Sequence, residues 1–208
     1  AGRPWRADAI HHLPRACIAR AVREPLLTCA ALQAWSASGS CAHQAEVGRR
    51  ILRDRFGVEA SVVVGDLMRP MGGGRHHTYT RSDGSISVEA GAYHAWLRLD
   101  DGSHVDLAAW ELLARFERQG IAWTGPRPDY LWDSPERLTA LGYVATIDER
   151  ATAAMAERLD RGDDGEFLSA YIGEALAVLK RCVVCGSADI EPHLHRGQAA
   201  GRADCGSM

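Results

Sequence analysis

Apolar residues recur at helical spacing through the first quarter of the chain and at strand-like spacing through its middle, so the two regions predict different elements. From Arg15, the positions Cys17, Ile18, Ala21 and Val22 lie three or four residues apart and predict a helix, which Pro25 is expected to interrupt. A second helical stretch runs from Leu26 to about Trp35 and leads into the small-residue bend Ser36-Ala37-Ser38-Gly39-Ser40. The clearest amphipathic helix follows, from Cys41 to Phe56. Cys41, Ala45, Gly48 and Leu52 share one face, Arg49, Arg50, Arg53 and Asp54 mostly occupy the other, and Gly57 is the expected stop. Glu59 to Leu67, centred on Val62-Val63-Val64, reads as a buried strand, and residues 69–85 as a long loop. Strands are predicted at about 86–90, 93–99 and 104–108, and a helix from Ala109 to Arg118 closed by Gly120. The aromatic and proline-rich segment 121–135 predicts an ordered, irregular wrap, with further helices at about 149–160 and 165–180. The pattern gives one domain over residues 1–180 and a tail over 181–208.

Composition narrows the classes of function. The chain has 208 residues, 46% hydrophobic and 25% charged, which are globular averages. A net charge of −3 carries no nucleic-acid footprint. No run approaches the roughly 18–20 apolar residues of a membrane span, and no lysine-led apolar leader opens the chain. Nucleic acid and membrane are therefore not expected partners, and the expected location is the cytoplasm. Six irregularly spaced cysteines do not form a disulfide framework, which leaves Cys41 available as a thiol.

Cys41 opens its predicted helix, where the positive end of the helix dipole and unpaired N–H groups favour a thiolate and a developing oxyanion. His94 and Asp106 lie on consecutive predicted strands, 53 residues after Cys41 and 12 after His94 respectively. Turn parity decides whether they meet. A two-residue Asp101-Gly102 turn would set Asp106 opposite Leu97 and away from His94. An odd loop centred on Asp101 sets it opposite Trp96 and diagonal to His94, with Gly102 supplying the left-handed position. In that arrangement Cys41 is the nucleophile, His94 its base and ion-pair partner, and Asp106 the residue that orients the ring. Gln33 would add an amide donor for the oxyanion, and Trp96 would share the substrate side of His94. Each residue alone is more often packing than catalysis; the three together are the more specific signal.

The segments Gly39-Ser40-Cys41-Ala42-His43-Gln44-Ala45, Phe56-Gly57-Val58-Glu59-Ala60-Ser61-Val62-Val63-Val64-Gly65, Tyr93-His94-Ala95-Trp96-Leu97-Arg98-Leu99 and His104-Val105-Asp106 resemble the core of the transglutaminase-like superfamily in its small bacterial form. The resemblance covers roughly residues 28–108. It implies a papain-like α+β fold with the cysteine-bearing helix packed on an antiparallel sheet, and Cys41, His94 and Asp106 as the triad. Many members carry Trp or Tyr directly after the cysteine, where this chain has Ala42 and His43. The superfamily includes crosslinkers, peptidases, glycanases and acyltransferases, so the resemblance implies the chemistry and leaves the substrate open.

In the tail, Cys182, Cys185, His193 and His195 have zinc-ligand chemistry but lack a second knuckle, so the tail is either a flexible segment or a structural zinc site. No other cofactor is expected. Gly72-Gly73-Gly74 lacks the setting of a phosphate loop, His76-His77 reads as exposed loop, and Trp110, Trp123, Tyr130 and Trp132 read as packing. The function expected is a cysteine-dependent hydrolase of an amide, peptide or thioester bond, with a peptide, protein or acyl-carrier substrate. The alternatives are acyl transfer to an amine and a non-catalytic binding module on the same fold.

Overall fold

Helix α1 (Arg15–Thr28) starts where the periodicity places it but runs straight through Pro25. Proline in a helix interior costs about 3 kcal/mol; here Cys17, Ile18, Ala21, Val22, Leu26 and Pro25 itself are all buried on this helix, and that packing outweighs one missing hydrogen bond. The computed structural model describes residues 13–36, 40–162 and 164–181. Helix α2 (Ala30–Ser36) is short, and α3 (Cys41–Ile51) continues into a single π-helical turn, Leu52–Phe56, that ends at Gly57. The remaining elements are β1 (Ala60–Gly72), β2 (Arg75–His77), β3 (His94–Leu99), β4 (His104–Asp106), α4 (Ala109–Arg118), β5 (Leu131–Asp133), α5 (Pro135–Ala140), β6 (Val144–Ile147), α6 (Glu149–Arg161) and α7 (Gly165–Lys180). The architecture is α+β.

All six strands pair antiparallel in the order β2-β1-β3-β4-β5, with β6 also on β1. Both faces of the sheet are covered. Leu97, Leu99, Val105 and Leu107 pack against α1, α3 and α7, while Val64 and Ala95 meet Ala42, Ala151 and Met155. On the other face Val63, Leu67 and Trp96 pack with Leu131, Leu138 and Tyr143. Helix α3 lies close to the sheet because Gly48 has no side chain: a Cβ there would come 2.3 Å from Leu107 Cδ1.

Three further expectations change. Strand β1 runs on to Gly72, because Leu67, Arg69 and Met71 continue its inward alternation at 2%, 1% and 8% exposure. An arginine in the middle of that set hides the alternation from a hydrophobicity reading. Residues 86–90 are not a strand; the segment folds back through the Ser87–Ala92 bridge and a turn closed by Gly91 N donating to Val88 O. Inside and after the aromatic wrap, β5, α5 and β6 form where no periodic signal stood. No helix among the described residues is long and apolar enough to cross a membrane.

Candidate active site

The β3–β4 connection decides the geometry. Leu97 pairs with Val105 and Arg98 with His104, and Leu99 N donates to Ser103 O, which leaves the three-residue loop Asp100-Asp101-Gly102. Gly102 takes φ 83, a left-handed value that glycine adopts without strain. The loop is therefore odd, and one further step of the same register sets Asp106 opposite Trp96 and diagonal to His94. His94 Nε2 lies 3.0 Å from Asp106 Oδ2. The other Asp106 oxygen, Oδ1, accepts from Ala108 N at 2.9 Å. Cys41 lies near enough to His94 to favour the charged form of its ring.

Cys41 is half-buried at the first position of α3, and no side chain caps the helix. Ser40 is the natural cap, but its hydroxyl donates to Glu111 Oε2 at 2.8 Å and accepts from Gln44 Nε2 at 2.7 Å. Gln44 also donates to Glu111 at 2.9 Å and accepts from Trp110 Nε1 at 3.0 Å. This buried network fastens the start of α3 to the start of α4, three residues after Asp106. It keeps the side chains of Ser40 and Gln44 off the first-turn N–H groups. His43, at the position after Ala42, meets Asp164 at 3.0 Å and the Phe167 ring edge-on, tying α3 to α7.

Two residues that the sequence did not bring forward complete the site. Arg69, 1% exposed on β1, donates through Nη2 to Asp106 Oδ2 and through Nη1 to Ala109 O at 3.0 Å. Tyr79, from the excursion after β2, stacks on the His94 ring at 4.3 Å with the planes 19° apart. Its backbone N–H donates to Asp66 Oδ1 at 2.6 Å, which pins the excursion to β1. His77 stands edge-on to Tyr79 and to Phe116 at 4.7 and 5.1 Å, so it is aromatic support rather than loop.

The electrostatics follow from burial and proximity. Burial alone would strip the proton from His94; the charge and hydrogen bond of Asp106, with the contribution of Cys41, outweigh it and push the imidazole up to about 9. Burial would likewise raise Asp106, yet His94, Arg69 and the Ala108 N–H hold it below the usual carboxylate range. Burial drops His77 to about 4, aided by Arg115 and Arg69, and lifts the Tyr79 phenol, so both are neutral near pH 7.

Gln33 is exposed on α2 and its amide donates to Leu27 O. Trp96 is 1% exposed and nearly parallel to His94 at 6.1 Å, so it supports the imidazole from within the core and does not line a substrate surface. Cys182, Cys185, His193 and His195 lie outside the described residues, and among those described no group of three or more His, Cys, Asp or Glu side chains is placed to hold a metal. Cys17 is in a disulfide, whereas Cys29 and Cys41 are free. A cavity of about 810 Å³ lies between residues 84–89 and the β6–α6 junction. Its wall shares Ile86, Val88 and Ala151 with the apolar cluster that Cys41 packs against.

No protein-family model matches the chain, and no curated protein matches it. Similar in fold is a solved structure described as "The crystal structure of genomics APC5867", with a TM-score of 0.52 at 16% identity over 86% of this chain and 82% of the other. At that identity the likeness bears on the fold alone.

Proposed function

We propose that this protein is a cysteine-dependent hydrolase that cleaves an amide, peptide or thioester bond through an acyl-Cys41 intermediate. The observation that carries the reading is a buried His94 held by Asp106 at 3.0 Å, with Cys41 close enough to act on its charge and standing at a helix start that no side chain caps. His94, held protonated through neutral pH, carries the proton of the Cys41–His94 pair. The Cys41 sulfur attacks the carbonyl carbon, and the carbonyl π electrons move onto oxygen, where the first N–H groups of α3 stabilise the charge. Collapse expels the leaving group, which takes its proton from His94 and leaves a thioester on Cys41. Water then gives a proton to His94 as its oxygen attacks the thioester. The second collapse releases the acid and restores the sulfur with the proton back on His94. Asp106 keeps Nε2 in its donor role throughout.

Activity-based profiling with electrophilic peptide and thioester probes tests the reading. A covalent adduct should map to Cys41 in the wild type, vanish in Cys41→Ala, and with thioester probes be released by water over time. A Cys41 that takes no more probe than Cys29 contradicts it and leaves a binding module on the same scaffold.

A further inference from the structure

We propose that Arg69 is a positioning residue of this site: its guanidinium fastens Asp106 to the start of α4 and offsets part of that carboxylate's charge at His94. The inference rests on the reading of Cys41 and His94 as the reacting pair and adds a fourth member behind them. Arg69 is almost without solvent, so its charge depends on what the protein places around it. Nη1 donates to Ala109 O at 3.0 Å and Nη2 to Asp106 Oδ2, while Nε is buried without a partner. Nη2 also lies 3.3 Å from His94 Nε2, which is itself 3.0 Å from the same Oδ2. One carboxylate oxygen thus serves two donors on two different elements.

That sharing has a direct electrostatic consequence. A guanidinium does not release its proton in a protein, so Arg69 is a permanent positive charge against the imidazole. Asp106 stabilises the imidazolium and Arg69 opposes it. The charges alternate from Arg69 to Asp106 to His94 to the attacking sulfur and sum to zero, whereas the last three alone would leave an uncompensated negative charge in a dry site. Without Arg69, a buried carboxylate would hold the His94 proton too firmly for ready transfer to a leaving group near neutral pH. The other titratable groups facing His94 do not replace it. Tyr79 stacks on the ring and is neutral, His77 stands behind Tyr79 and is neutral, and Tyr143 lies near Arg69 and Asp106 with its phenol pushed up by burial. Arg115 of α4 acts on His77 and Tyr79 from farther out.

The test follows the His94 ring by NMR in the isotopically labelled full chain, in wild type, Arg69→Met and Arg69→Lys, using His94→Gln to assign the signal. Removing the like charge should move the His94 titration upward by about one pH unit in Arg69→Met. The alkaline fall in Cys41 alkylation by iodoacetate should move with it. Arg69→Lys keeps the charge and loses the bridge to Ala109, so its titration should stay within a few tenths of a unit of wild type. Lower thermal stability in Arg69→Met with an unmoved titration would overturn the proposal, as would an upward shift in Arg69→Lys equal to that of Arg69→Met. If Arg69→Met does not fold, Arg69→Lys alone decides: an unmoved titration supports the charge role, and an upward shift near one unit overturns it. Failure of the underlying reading shows separately, as a wild-type Cys41 that alkylates no faster than Cys29.

Discussion

A buried imidazole that keeps its proton to about 9, against 6.5 in free histidine, couples the site to folding. The sign is fixed by that direction. Because the folded value is raised, the His94 contribution is fully present below about 6.5 and is lost as pH rises through about 9. Asp106 runs the opposite way: its lowered value contributes stability above 3.8 that is lost on acidification through the folded value. The stability gap between wild type and His94→Gln, measured by urea unfolding, should therefore narrow steadily from pH 6.5 to above 9; a constant gap would contradict the ion-pair account. At this scale the approach of His94 to Asp106 was legible because both sit on a readable strand alternation, and the place of Cys41 because it opens a helix. Arg69 and Tyr79 were not. A charged residue on the inward face of a strand breaks the hydrophobic pattern that identifies the strand, and Tyr79 reaches His94 from an excursion with no periodicity.

The elements place these side chains through two close fits. Gly48 lets α3 settle on β3 and β4, and a methyl group there would meet Leu107 at 2.3 Å and Leu97 at 3.3 Å, both fully packed. Gly48→Ala should lower stability by about 1–3 kcal/mol and slow Cys41 alkylation, because the cysteine end of the helix is displaced from His94. Calorimetry with a labelling rate on the same sample checks both. The second fit is the Ser40–Gln44–Glu111 network. Glu111→Leu strips a buried hydroxyl and a buried amide of their acceptor, so a loss of about 1–3 kcal/mol is expected in denaturant unfolding. Turn parity is the clearest case of an element read from sequence: an odd loop with Gly102 in the left-handed position follows from the requirement that Asp106 face His94, and it is the loop observed. The helix stop expected at Pro25 failed because a propensity rule met a buried interface with α7. The 86–90 strand failed because Ile86 and Val88 alternate as a strand does, yet the segment folds back on itself.

Across the whole molecule, the scaffold that carries the site is separable from the chemistry. Tyr171 of α7 donates to Val22 O of α1 at 2.6 Å, joining the two helices that back the sheet far from His94 in sequence. Tyr171→Phe should reduce stability by about 1 kcal/mol and leave Cys41 labelling unchanged, which a melting curve and a labelling rate establish together. Helices α6 and α7 stand where the sequence places them, at about 149–160 and 165–180. The stretch containing β5, α5 and β6 was not legible, since its strands are three and four residues long and β6 is half-exposed, too little for a periodic signal. Whether Cys41 is an activated nucleophile is read from its iodoacetamide rate beside that of Cys29 near pH 7. Cys41 should react at least about tenfold faster in the wild type and lose that advantage in His94→Ala. Equal rates for the two thiols in the wild type would contradict it.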